Sequence, residues 1–170
     1  MPPQILIRME APADQDAVRE INEQAFGSPV EARIVDALRG SAGSISLVAT
    51  NGDRVVGHIL FTPVRIEPPA RVRIAGLAPM AVRPGSQRGG IGSRLVRAGL
   101  DECRRHGYSA IVVLGHPEYY PRFSFEPAHT RDLKCEFRCA PEAFMVLELE
   151  VGALAGHRGL IRYRPEFNDA

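Results

Sequence analysis

The sequence predicts one domain over residues 1–170, of the α/β class and α+β type, in which helices flank a mixed central sheet. Two apolar, β-branched runs, at 44–50 and 54–62, flank Asn51-Gly52-Asp53. Asn-Gly suits the left-handed φ values of a tight turn, so these runs predict an antiparallel hairpin. Residues 71–114 instead alternate strand, helix and strand, which joins parallel strands. Both kinds of pairing in one chain predict a mixed sheet.

The N-terminal part is expected to contain one strand and two helices. Residues 4–9 have a strand pattern, and 13–26 have helical periodicity with acidic residues near the positive end. Gly27-Ser28-Pro29 interrupts that helix. A second helix follows over 30–39, and Gly40 ends it.

The strand–helix–strand unit has the clearest pattern in the chain. A long strand over 71–82 leads into a glycine-rich turn, and a helix follows over 89–106, with Gly107 at its end. The continuous apolar run 110–114 is typical of a buried parallel strand. The inward stripe of the helix consists of Gly92, Leu95, Val96, Gly99, Leu100 and Cys103.

The C-terminal part is less regular. The aromatic stretch 118–123 predicts at most a short helix, and 126–142 is expected to be irregular. Strands are expected at 144–150 and 160–163. Exposed strands near the C-terminus would allow a homodimer.

Composition narrows the function classes. A formal net charge of +1 argues against a nucleic-acid binder that acts through bulk charge. No apolar run approaches the ~20 residues of a membrane span, and no signal peptide is visible, so a cytoplasmic protein is expected. Cys103, Cys135 and Cys139 are expected to be reduced thiols, without a metal site.

The glycine-rich turn at Gln87–Ser93 is the main functional motif. A strand-like lead-in ends at Pro84, and the turn opens a helix. Unpaired amides at a helix N-terminus favour a phosphate or pyrophosphate. The alternative is a structural turn whose small residues allow close packing of helix on sheet. The Walker pattern is excluded because no lysine precedes Ser93, and the dinucleotide fingerprint has a different glycine spacing.

Gln87-Arg88-Gly89-Gly90-Ile91-Gly92 resembles the Gln/Arg-x-x-Gly-x-Gly/Ala signature of the GNAT acetyltransferases. Met80-Ala81-Val82-Arg83-Pro84 resembles the strand that precedes that signature, and the order of elements over residues 4–150 is similar to the superfamily. Segments 29–39 and 114–125 are similar to a bacterial branch of predicted acetyltransferases.

The resemblance implies acetyl-CoA as co-substrate and acetyl transfer to a primary amine of a small molecule or protein by direct attack. It further implies that the turn holds the CoA pyrophosphate, while pantetheine pairs with backbone exposed where two parallel strands splay apart. The cofactor-binding residues implied are Met80, Ala81, Val82, Gln87, Arg88, Gly89, Gly90, Ile91, Gly92 and Ser93.

The resemblance also implies a general acid. The family has a tyrosine four residues before a Gly-Phe pair; here Ser124-Phe125 replaces that pair, and the position corresponds to Tyr120. Tyr119 is the second candidate. The structural alternative is that both tyrosines simply join Phe123 and Phe125 in an aromatic core cluster.

The general base is not identified. Many relatives carry a glutamate on the strand before the turn, but residues 74–80 contain no carboxylate. Glu31 is assigned to contact with the acceptor, and a water chain without a dedicated base is an alternative. A non-catalytic acyl-CoA-binding module is the rival function, and a generic α/β domain without a CoA site is a third. The candidate bases are Glu31, His58, His116 and Glu118.

Overall fold

The structure is a computed structural model, and it describes residues 4–168. Within that range the strands are β1 (Ile5–Met9), β2 (Ile45–Asn51), β3 (Arg54–Glu67), β4 (Ile74–Val82), β5 (Ala110–Leu114), β6 (Glu126–Pro127), β7 (Leu133–Cys135), β8 (Phe144–Glu148) and β9 (Gly159–Arg162). The helices are α1 (Gln15–Phe26), α2 (Val30–Leu38) and α3 (Ile91–Arg105). None of these helices is both long enough and apolar enough to cross a membrane.

The strands form a mixed sheet, as predicted. Its main path runs β1-β2-β3-β4-β5-β8-β6, and β9 joins β7 to the far end of β3. The β2–β3 hairpin is antiparallel and turns after Asn51. The β4–β5 pair is parallel with α3 between the two strands in sequence, so the predicted strand–helix–strand unit is confirmed.

Successive strand residues point to opposite sides of the sheet, so a strand that is apolar throughout gives the sheet two apolar faces. Helices cover both of them. Leu47 and Ala49 of β2 belong to the apolar core beneath α3. Val48, between them, belongs to the core formed with α1 and α2 on the other face. A third core surrounds the short strands near the C-terminus.

Several element boundaries differ from the predictions. Helix α3 begins at Ile91, two residues late, because Gly90 adopts a left-handed φ of 83°. Strand β3 continues past residue 62 because Pro63 and Val64 pair with β4 and the end at 65–67 pairs with β9. The predicted irregular region 126–142 contains β6 and β7, and β9 has a neighbour on each side rather than an exposed edge.

A bulge in β4 opens the sheet at one place. Leu77 lies opposite Phe61 and Met80 opposite Ile59, so β4 has one more residue than β3 between these two pairs. The parallel ladder between β4 and β5 ends at the same point, with Leu77 opposite Val113. Beyond Leu77, the side of β4 that faces away from β3 has no partner strand within residues 4–168.

Candidate active site

The open edge of β4 presents the backbone of alternate residues. The Arg83 N–H donates to the Val56 carbonyl oxygen of β3, at 2.8 Å. Because backbone groups alternate in direction along a strand, those of Val82 and Met80 point away from β3 and those of Ala81 point towards it. Met80 and Val82 therefore offer N–H and C=O groups at the open edge, with the spacing that an extended amide-containing ligand requires.

The glycine-rich turn leads from this edge to the N-terminus of α3. The Gln87 Nε2–H donates to the Val82 carbonyl oxygen at 3.1 Å, which ties the turn to β4. The first hydrogen bond of the helix runs from the Arg94 N–H to the Gly90 carbonyl oxygen, at 3.1 Å. The amides of residues 91–93 therefore have no acceptor within the helix, and with the helix dipole they form a site for an anion.

The closest approach of helix to sheet does not lie at the glycines of the turn. A Cβ at Gly90 would meet nothing within 4 Å. One at Gly92 would lie 3.2 Å from the Tyr119 hydroxyl and 3.5 Å from the Met80 side chain of β4, which is ordinary contact for the methionine. The close contact between α3 and the sheet is at Gly99, where a Cβ would lie 2.2 Å from the Phe61 ring. This separation favours a binding role for Gly90 and Gly92.

A cavity of about 820 Å³ lies between the open edge of β4, the end of β5 and the helices α1 and α2. The predicted residues Gly89–Ser93 do not line the cavity. Gly92 and Ser93 lie next to Tyr119, which does line it. The predicted residues that the cavity brings together are Glu31, Met80, Ala81, Val82, Gln87, Arg88, His116, Tyr119 and Tyr120.

The two adjacent tyrosines have different surroundings. The Tyr119 hydroxyl is 3.1 Å from Ser93 Oγ, at the N-terminus of α3. Tyr120 is buried, its ring close to Gly115 and 5.6 Å from that of Phe125, centroid to centroid. Burial, and secondarily Tyr119, raises the pKa of Tyr120 to about 12. Tyr120 is thus both a core residue and a neutral phenol lining the cavity.

The candidate bases separate into two groups. Glu31 and His116 line the cavity. Glu31 Oε2 is buried and has no hydrogen-bond partner among the described residues. Glu118 is exposed and does not line the cavity. His58 is fully buried between α1 and the sheet, and burial lowers its pKa to about 3, so it does not serve as the base.

Several apolar residues of the cavity are not among the predicted site residues. Phe167 lies in a turn near the C-terminus that packs against α2. Because the two segments are far apart in sequence, no local pattern indicates this contact. Phe26 is the last residue of α1 and Leu114 the last of β5. A large apolar residue at the end of an element is the sequence signal that could have indicated them, and both are exposed in the structure. They include Phe26, Ile34, Leu114 and Phe167.

Comparison with known proteins agrees with this geometry. The family model "Acetyltransferase (GNAT) family" matches residues 15–120. The uncharacterised N-acetyltransferase YhbS of Escherichia coli K12 is 37% identical over 166 residues, which cover 96% of this chain and 99% of YhbS.

Two solved structures are similar over nearly the whole chain. Escherichia coli YhbS in complex with CoA has a TM-score of 0.93 at 36% identity, covering 99% of this chain and 94% of that one. A GNAT family acetyltransferase from Brucella melitensis in complex with acetyl-CoA has a TM-score of 0.78 at 33% identity, covering 96% and 98%. This chain therefore belongs to the GNAT family and is an N-acetyltransferase.

Proposed function

We propose that this protein transfers the acetyl group of acetyl-CoA directly to a primary amine held in the cavity. The open edge of β4 beside the N-terminus of α3 carries the proposal, because it combines an amide-pairing strand with an anion site. The amides of residues 90–93 hold the pyrophosphate, assisted by Gln87 and Arg88, and Met80 and Val82 pair with pantetheine. The CoA-bound and acetyl-CoA-bound relatives support this assignment.

The amine end of the reaction is assigned to Glu31. An alkylammonium has a pKa of ~10.4 and must lose a proton before its nitrogen can attack. The Glu31 carboxylate lines the cavity and binds the ammonium. Its Oε2 has no partner within residues 4–168 that would compete for the carboxylate. The proton leaves through Glu31 or through water in the cavity. A C–N bond then forms as the C–S bond of the thioester breaks.

Tyr120 acts at the sulfur end. A cysteine-like thiolate has a pKa of ~8.5 and accepts a hydrogen bond from a phenol. Because the pKa of Tyr120 is raised to about 12, its hydroxyl keeps its proton throughout the neutral range and donates to the leaving sulfur. Whichever open-edge N–H group, of Met80 or of Val82, is not paired with pantetheine can donate to the thioester carbonyl oxygen as negative charge develops there.

Tyr120→Phe tests the assignment of the general acid. We expect kcat for amine acetylation to fall about 100-fold or more, the usual size of an acid–base contribution, with the Kd of CoA within about twofold of wild type. Free-thiol release measures the first quantity and titration calorimetry the second. Tyr119→Phe, which removes the hydrogen bond to Ser93, should mainly weaken CoA binding.

Tyr163→Phe is the matched control. It removes a phenol hydroxyl that is buried outside the cavity and has no hydrogen-bond partner within residues 4–168. Its kcat should match wild type. If Tyr119→Phe rather than Tyr120→Phe abolishes turnover at unchanged CoA affinity, the roles are reversed. If acetyl-CoA binds but no amine releases free thiol, the protein is an acyl-CoA-binding module.

A further inference from the structure

Part of the exposed apolar surface lies at the cavity. Five large apolar residues of the described chain are markedly exposed, and two of them, Phe26 at 42% and Leu114 at 39%, line the cavity. Phe167 and Ile34 continue the same apolar surface. Apolar surface left in water costs about 25 cal/mol per Å², and a patch of this kind usually marks a binding site. The patch therefore favours a ligand with an apolar body.

The charge in the cavity is sparse. Among the described residues that line it, Glu31 is the one that carries a carboxylate. It lies in the first turn of α2, a position where the helix dipole favours a negative charge. A buried carboxylate oxygen without a partner is costly until a donor reaches it. The cavity therefore matches a ligand that carries one ammonium group.

Resting on the proposed function, we propose that the acceptor is a small primary monoamine whose single ammonium group is attached to an apolar aromatic or aliphatic body. The ammonium binds Glu31, and the body packs on Phe26 and its apolar neighbours. The acceptor must be small, because the same cavity of about 820 Å³ must also hold the reactive end of the donor.

Other amine classes fit less well. An aminosugar would bring several hydroxyl groups against Phe26, Ile34 and Phe167, where they would lose hydrogen bonds to water. A polyamine would bring a second and third ammonium group, for which the part of the lining within residues 4–168 offers no further carboxylate. A lysine within a folded protein would require the cavity to admit part of a polypeptide beside the donor.

An acceptor panel tests the proposal. Initial rates of free-thiol release are measured with 2-phenylethylamine, hexylamine, glucosamine, spermidine and a lysine-containing peptide. We expect kcat/KM for the two apolar monoamines to exceed that of each other amine at least 10-fold. If glucosamine, spermidine or the peptide is the best acceptor, the proposed class is wrong.

Two variants test which residues bind the acceptor. Phe26→Ser should raise KM for 2-phenylethylamine about 10-fold without changing the Kd of CoA, and Glu31→Gln should weaken binding of the ammonium form. Leu6→Ser is the matched control, since Leu6 is 55% exposed on β1 and does not line the cavity. If Phe26→Ser behaves like Leu6→Ser, the apolar surface does not bind the acceptor.

A binding measurement separates this proposal from the proposed function. 2-Phenylethylamine is titrated into wild-type and Phe26→Ser protein saturated with CoA, and heat is recorded. Binding that Phe26→Ser weakens supports the apolar acceptor site even if no turnover is seen, in which case catalysis is what fails. Turnover of polar amines without binding of 2-phenylethylamine refutes the acceptor class and leaves the acetyltransferase activity in place.

Discussion

Gly90 is the residue of the turn that most needs to be glycine. Its φ of 83° is left-handed, and residues with a Cβ adopt that region at a cost of about 1–2 kcal/mol. In Gly90→Ala the backbone should leave the left-handed region and move the amides of the turn out of position. The Kd of CoA, measured by calorimetry, should then rise about 5-fold or more. Gly85→Ala is the control, because its Cβ would meet nothing within 4 Å and no left-handed φ is needed there. Equal CoA affinity in the two variants would contradict the assigned anion site.

The sequence alone does not predict how the side chains of Tyr119 and Tyr120 are oriented. The sequence indicates that a phenol follows β5, but a short turn has no periodicity that tells which of two neighbours faces the cavity. The fold directs the Tyr119 hydroxyl to Ser93 and packs Tyr120 against Gly115 and Phe125. Both line the cavity, so chemical tests of single variants must assign the acid.

Helix α3 approaches the sheet closely because Gly99 faces Phe61. Both are fully buried or nearly so, and a Cβ at Gly99 would lie 2.2 Å from the ring. Gly99→Ala gains up to ~1 kcal/mol of helix propensity, but it must displace Phe61 or the helix. We expect a net loss of about 1–3 kcal/mol in the free energy of unfolding, measured by urea denaturation.

The position of α3 also affects the turn that it carries. If Gly99→Ala moves the helix, the first-turn amides move relative to the open edge of β4, and the Kd of CoA should rise together with the loss of stability. A variant as stable as wild type would show that Phe61 can move aside, and the close approach would then have no energetic importance.

Elements with strong local signals were predicted, and those that depend on distant pairing were not. The hairpin follows from Asn51-Gly52, and the β4–α3–β5 unit follows from its periodicity. The splay of β4 from β5 was expected only through the family resemblance. Pro79, which lacks an N–H and lies in the bulge, is the local signal that could have located it. The last three residues of β3 depend on pairing with β9, about 100 residues later.

At the scale of the whole molecule, a buried polar network connects the helical layer to the sheet. The Asn22 Nδ2 group is 3.3 Å from His58 Nδ1, and Ser46 Oγ is 2.8 Å from His58 Nε2. The Ser46 hydroxyl can donate to Glu10, at 3.2 Å, and Glu10 accepts from Arg39. A neutral histidine protonated at Nε2 satisfies this chain of donors and acceptors, whereas a proton on Nδ1 would face the Asn22 amide.

The stability of the fold should therefore depend on pH through His58. Burial, and secondarily Arg39, lowers its pKa from 6.5 to about 3 in the folded protein. Between these values the unfolded chain binds one more proton, so the free energy of unfolding falls as pH decreases. From pH 7 to pH 5 the expected loss is about 2 kcal/mol.

Comparing wild type with His58→Gln isolates this effect. Glutamine does not titrate, so the variant should be less stable at pH 7 but should lose about 2 kcal/mol less than wild type between pH 7 and pH 5. Urea denaturation at the two pH values gives the four free energies required. The lowered pKa values of Asp14 and Asp36 affect stability mainly below this range, because their ordinary values are 3.8. An equal loss in both proteins would mean that His58 becomes protonated in the folded state, and the network beneath α1 would then have to rearrange.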